Sequence, residues 1–188
     1  SWTAIYPDGS KFLNDSSGAI GSTSNTNKLF KTVSGGGTKA PEPIVINGWP
    51  TDLRAAFPAF SPDGKGLAFT MYAGAGAGNA DKRTLGYMAF DPTTNTFGTM
   101  KALYTPPNGA HAALYPAFLP TNDAVVFGLE TESNGRDYGG TRSRGDSTDD
   151  NRDHGAHGKL YWANVNNPGV ATPLDKLNGK GYLPTGPN

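Results

Sequence analysis

The sequence predicts an all-β chain: an arc of a β-propeller, about three four-stranded blades long, belonging to a larger ring of six to eight blades. Three observations predict it. Glycine and proline together make about 22% of the 188 residues, where roughly 12% is usual. Aspartate outnumbers glutamate 13 to 3, and Asp, Gly and Pro are turn residues rather than helix formers. A Pro-aromatic-turn phrase also recurs three times at a pitch of 55 to 58 residues, the mark of a repeat architecture.

The phrase is clearest at Pro58-Ala59-Phe60-Ser61-Pro62-Asp63-Gly64-Lys65-Gly66-Leu67-Ala68-Phe69. Fifty-eight residues on stands Pro116-Ala117-Phe118-Leu119-Pro120-Thr121-Asn122-Asp123-Ala124-Val125-Val126-Phe127. Fifty-five residues earlier stands Ile5-Tyr6-Pro7-Asp8-Gly9-Ser10-Lys11-Phe12-Leu13, which aligns Trp2 with Phe57. Each copy reads as a β-hairpin. An aromatic or apolar residue closes one strand, Pro sets φ for the first corner, and Gly or Asn tolerates the positive φ that follows. The chain then returns as an apolar strand.

A second strand pair follows each hairpin. In the first copy it is 29–33 and 43–46, around a Ser34-Gly35-Gly36-Gly37 turn. In the second it is 85–90 and 97–104, around Asp91-Pro92-Thr93-Thr94-Asn95. In the third it is 159–165 and 170–174, around Asn166-Asn167-Pro168-Gly169. Four strands per unit at this pitch indicate propeller blades; a sandwich would not repeat one phrase in register. The expected organisation is a single partial domain over 1–188, with blades at about 1–50, 51–108 and 109–180.

The phrase resembles the TolB-like, WD-repeat-like bacterial β-propeller family, whose repeat carries Pro-x-aromatic-Ser-Pro-Asp-Gly-x-x-apolar-Ala-Phe. Residues 58–69 match it nearly throughout, 116–127 keep its frame, and 5–13 keep Pro-Asp-Gly without the Ala-Phe. The resemblance implies a propeller of an extracytoplasmic bacterial protein: periplasmic, surface-associated or secreted. It implies six blades as well. Three blades do not close a ring, which usually takes 4–8. The expectation is that further blades of the same chain complete it, with 181–188 leading into the next; the alternative is completion by a second copy or another chain.

The composition excludes several classes of function. Sixteen basic and 16 acidic side chains balance, so no excess of cations favours nucleic acid. No run of 18 apolar residues occurs, so no helical membrane span is expected. The absence of Cys removes disulfides, thiolate metal sites and Cys nucleophiles. Neither an initiator Met nor a basic-then-apolar leader is found in the chain.

Function is expected in the loops, because the strands are committed to packing. From the hairpin proline to the third-strand positions Leu29, Tyr87 and Tyr161 is 22, 25 and 41 residues in the three copies. The third loop, 130–158, is the most polar stretch of the chain and the expected contact for a protein or carbohydrate partner. Its Asp149-x-Asn151-x-Asp153 places oxygen ligands at alternate positions, as a calcium loop does. The expected Gly arrives one residue late, at Gly155, and the twelfth position is Leu160 rather than Glu. These three residues are therefore expected to form at best an irregular calcium site, completed by other groups, and no cofactor is expected to be required. His154-x-x-His157 is a weaker zinc candidate for want of a third ligand. Arg144-Gly145-Asp146 arises easily by chance in a loop rich in all three residues. The Ala73–Asn79 run of alternating Ala and Gly lacks the βαβ setting of a nucleotide site.

No catalytic constellation is found. There is no Gly-x-Ser-x-Gly elbow, and His111 has no neighbouring Ser and acid pattern. Asp8 and Asp63 recur at a turn position, which is a structural role. The expected function is a non-catalytic binding scaffold. The alternatives are the propeller of a prolyl-oligopeptidase-type peptidase whose catalytic domain lies outside the chain, or a subunit of a structural assembly.

Overall fold

A computed structural model describes residues 3–14, 29–33, 40–50, 53–72, 84–106, 113–130 and 158–174. These form three antiparallel sheets, with no helix among the described residues. The first sheet runs in order β1 (Thr3–Ile5), β2 (Lys11–Asn14), β3 (Leu29–Lys31), β4 (Pro43–Ile44). The second contains β5 (Arg54–Phe60), β6 (Gly66–Tyr72), β7 (Leu85–Asp91), β8 (Thr96–Phe97) and β9 (Lys101–Tyr104). The third is β10 (Ala113–Phe118), β11 (Ala124–Glu130), β12 (Gly158–Asn164), β13 (Ala171–Pro173).

The three hairpin turns use one hydrogen-bond pattern. Tyr6, Ser61 and Leu119 each donate their N–H to a carbonyl five residues on, at 2.9, 2.9 and 2.8 Å. Each also accepts at its own carbonyl from the N–H three residues on, that of Gly9, Gly64 or Asn122. Those three donors hold φ of 74°, 71° and 66°, the left-handed corner for which Gly and Asn were selected.

The pleat gives each sheet two apolar faces. Cross-strand pairing sets Ala4, Leu13, Leu29 and Ile44 in a row across the first sheet. That row packs on Leu67, Met88 and Phe90 of the second sheet. On the other side of the second sheet, Ala68, Leu85 and Leu103 pack on Val125, Phe127 and Ala163 of the third. Two cores therefore lie between three stacked sheets, and strand alternation keeps them apart: Leu67 and Phe69 serve one, Ala68 the other. Rings fill the first core, with Phe90 against Phe97 at 4.6 Å and Tyr6 edge-on to Phe60 at 5.3 Å.

One expected strand is corrected. The stretch 97–104 is not continuous but divides into β8 and β9, so the second sheet has five strands rather than four. Both pair with β7, and one extra residue is accommodated between Phe97 and Lys101, another at Leu103. The cause lies in the connection from the first sheet. Asn47 donates its N–H to Asn95 O and accepts from the Phe97 N–H at 2.9 Å, so the linker occupies the outer edge of β8. Leu103, in the second bulge, is fully buried, and its carbonyl accepts the Gly169 N–H of the third sheet at 2.7 Å.

Candidate functional site

The strands separate two ends of the molecule. At one end lie the hairpin turns and the β7–β8 and β12–β13 turns, tied to them by Phe90 N–H to Lys65 O and Val165 N–H to Asp123 O. At the other end β2, β6 and β11 finish at Asn14, Tyr72 and Glu130. The three longest connections, 15–28, 73–83 and 131–157, are anchored there. The longest is held by a paired stem, Glu130 opposite Gly158.

Asp149, Asn151 and Asp153, the expected calcium ligands, lie outside the described residues, as do His154, His157, Arg144-Gly145-Asp146, Ala73–Asn79, His111 and Trp2. Among the described residues no group of three His, Cys, Asp or Glu could hold a metal.

The turn end is a continuous polar seam. Ser61 donates its hydroxyl to Asp63 Oδ1 at 2.6 Å and accepts the Gly66 N–H at 2.8 Å. Asp63 Oδ1 also accepts the Lys65 N–H at 3.0 Å. The Ser61 hydrogen bond, before the Lys65 N–H and charge, holds the Asp63 carboxyl below its ordinary range. Burial, then Asp8 and Asp63, push the Tyr6 phenol up; burial, then Asp63, push Tyr87 up. The seam runs from sheet to sheet. A Cβ on Gly64 would overlap the Tyr6 hydroxyl, and Asp63 N–H donates to Asn122 Oδ1 at 2.9 Å. Lys11 reaches from the first sheet to Asn95 Oδ1 at 2.8 Å and Pro92 O at 3.1 Å, above the Tyr6 and Phe90 rings. Ser61 and Asp63 are thus saturated by one another and by the backbone, which is turn architecture. This seam joins the sheets.

A second feature escaped the sequence reading. The first strands β5 and β10 each carry a bulge, at Phe57-Pro58 and Tyr115-Pro116, where the partner strand has one residue fewer. Phe57 and Tyr115 hold φ of 52° and 54°, a region that residues with large side chains seldom adopt. Their rings meet at 4.7 Å, tilted 56°. Both strands are sheet edges, and a bulge with a proline, which has no N–H to offer, protects an edge against stray pairing. The signal was the repeated aromatic-proline dipeptide 58 residues apart.

No family model matches the chain, and no curated relative matches it. Among solved structures it is similar to TolB from Acinetobacter baumannii, at 18% identity and a TM-score of 0.42. That match covers 93% of this chain and 31% of the other. It is also similar to a putative TolB from Agrobacterium tumefaciens, at 14% identity and a TM-score of 0.40, covering 92% and 63%. The chain thus spans less than two thirds of either protein.

Proposed function

We propose that the three sheets are consecutive blades of a β-propeller ring of six to eight blades, and that the chain is a non-catalytic binding scaffold. It works outside the bacterial cytoplasm, in a periplasmic, surface-associated or secreted protein. Loop 130–158 presents a polar surface to a protein or carbohydrate partner, and Asp149, Asn151 and Asp153 hold calcium there.

One observation carries this reading. The same hairpin, with the same bonds and the same left-handed corner, recurs in all three sheets, and the three longest connections, which differ in length, leave from the opposite end. A constant frame with variable loops at one end separates structure from recognition. The paired stem at Glu130 and Gly158 gives the longest loop a fixed base.

The stem also supplies the test. Replacing 131–157 by an Asn-Gly turn preserves the β11–β12 pairing. The labelled chain and this variant are compared on an array of bacterial surface glycans and against purified envelope proteins. Binding by the native chain that the variant loses supports the reading; equal binding by both, or binding by neither, rejects the loop as the contact. Calcium is tested by thermal melts with chelator and with excess calcium, where an unchanged midpoint rejects a site linked to folding.

A further inference from the structure

The connection from the first sheet to the second contains a pair of residues with a chemistry of its own, Asn47-Gly48, just ahead of Trp49. An asparagine before glycine is prone to lose its side-chain amide, because glycine has no side chain to shield the nitrogen that attacks it. The same dipeptide at 108–109, 134–135 and 178–179 lies outside the described residues.

At 47–48 the fold uses both residues. Asn47 is exposed, yet its side-chain amide donates to Thr94 O at 3.1 Å. Its N–H donates to Asn95 O at 3.1 Å, and its carbonyl accepts the Phe97 N–H at 2.9 Å. Gly48 holds φ of 73°, and a Cβ there would overlap the Phe97 carbonyl. Among the described residues the Gly48 N–H meets no acceptor. A reactive pair is therefore kept in place by the contact it makes with β8.

We propose that Asn47 is a deamidation site, protected while the linker lies on β8 and unable to return there once it has reacted. The Gly48 nitrogen bonds to the Asn47 side-chain carbon. The bond from that carbon to Nδ2 breaks, and Nδ2 leaves as ammonia with the proton from Gly48. Water then opens the cyclic imide at one of its two carbonyls, which leaves either aspartate or isoaspartate. In the bridge to Thr96 the Asn47 backbone is extended, and this holds the Gly48 nitrogen away from the side-chain carbon. Closing the ring turns the Asn47 carbonyl off the Phe97 N–H and takes Nδ2 off Thr94 O. The reaction thus proceeds from the locally opened linker.

The product does not fit the place that asparagine held. A carboxylate has no proton to donate to Thr94 O. Isoaspartate also adds a carbon to the main chain where the two backbone bonds to β8 are made. Trp49, next in the chain, packs edge-on to the buried Phe97 at 5.1 Å and donates its indole N–H to Leu53 O at 3.1 Å. Release of the linker therefore reaches the first core.

The full chain is aged at mildly alkaline pH and physiological temperature, beside the same chain in urea. Peptide mapping by mass spectrometry follows the 47–48 pair separately from the other three, and an isoaspartyl methyltransferase marks the isoaspartate product. Conversion is expected in the folded chain, roughly tenfold or more slowly than in urea. Trp49→Ala, shown by circular dichroism to stay folded, should react severalfold faster than the native chain. No conversion in the folded chain, equal rates with and without urea, or a Trp49→Ala rate no faster than the native one overturns the proposal. Amide hydrogen exchange at Phe97 reads the release itself. It should be severalfold faster in the aged chain and in Asn47→Asp than in the unreacted chain, and unchanged protection overturns the proposal. If Asn47→Asp does not fold, the aged native chain decides alone.

Discussion

Phe57 and Tyr115 hold the same left-handed backbone at the same point of two successive repeats, and their rings are in contact at 4.7 Å. Each precedes a proline at the one place where its strand carries a surplus residue. Positive φ at a bulky residue costs about 1–3 kcal/mol, and it persists only where surrounding contacts over-determine it. The ring pair is one such contact, joining the first strands of neighbouring sheets.

That gives a prediction with an unusual sign. Glycine in a strand is ordinarily worse than alanine by about 0.5–1 kcal/mol. At position 57 the order reverses: Phe57→Gly is expected to be the more stable by about 1 kcal/mol, because only alanine retains the left-handed penalty. A double-mutant cycle with Phe57→Ala and Tyr115→Ala should show a coupling of about 0.5–1.5 kcal/mol in urea denaturation. A coupling near zero would mean that the rings merely lie close.

The turn glycines separate backbone strain from steric overlap. Gly9 and Gly64 have nearly the same φ, 74° and 71°. A Cβ on Gly9 would meet nothing within 4 Å, whereas one on Gly64 would run into the Tyr6 ring and hydroxyl. Gly9→Ala is expected to cost about 1–2 kcal/mol, the left-handed penalty alone. Gly64→Ala should cost about 1–3 kcal/mol more, as overpacking does, and should loosen the contact between the first two sheets. Equal losses in thermal melts would show that Tyr6 moves aside freely.

What could be read before the structure, and what could not, follows from the range of each signal. The hairpin corners at Gly9, Gly64 and Asn122 were legible because their chemistry is local: one residue must take a positive φ, and few can. The apolar rows were legible because period two assigns alternate residues to opposite faces. The break between Phe97 and Lys101 was not, because Asn47, which occupies the edge of β8, lies nearly a whole repeat away in sequence. The bulges at Phe57 and Tyr115 were hidden as well, since a strand's own sequence does not say how many residues face it. Of the expected site, only the stem from Glu130 to Gly158 falls within the described residues.

Ser61 and Asp63 make the second hairpin sensitive to acid. The folded Asp63 carboxyl titrates below its usual 3.8, so the fold binds its proton later than the unfolded chain does. The resulting stability is fully present above the unfolded value and is lost as pH falls through the folded one. Ser61→Ala removes the main cause of that shift and also leaves the Gly66 N–H without its acceptor. A loss of about 1–3 kcal/mol is expected at pH 7. Denaturant melts from pH 7 downward should show the gap between native and variant constant to about pH 5 and narrowing below about pH 4. It should not vanish, because the Gly66 bond does not titrate. A gap that widens in acid would contradict the assignment.

Lys11 tests whether the polar seam carries part of the contact between the first two sheets. Its ammonium reaches across the first core boundary to Asn95 Oδ1 and Pro92 O, over two aromatic rings. Lys11→Met keeps the aliphatic stem on those rings and removes the charge and both donated bonds. Hydrogen bonds from a charged group are worth about 1.5–3 kcal/mol each at most, and part of that returns when the Asn95 and Pro92 oxygens find water. A net loss of about 1–2 kcal/mol is expected. The Asn95→Gly variant tells which bond matters, because Asn95 holds φ of 51° and glycine removes the side chain without a left-handed penalty. If the Lys11–Asn95 bond dominates, the double variant loses little more than Lys11→Met alone. If the two losses add, the lysine acts through Pro92 and the rings. Because neither acceptor is ionised, raising the salt concentration should leave the loss nearly unchanged. A loss that disappears in salt would point to a longer-range charge effect instead.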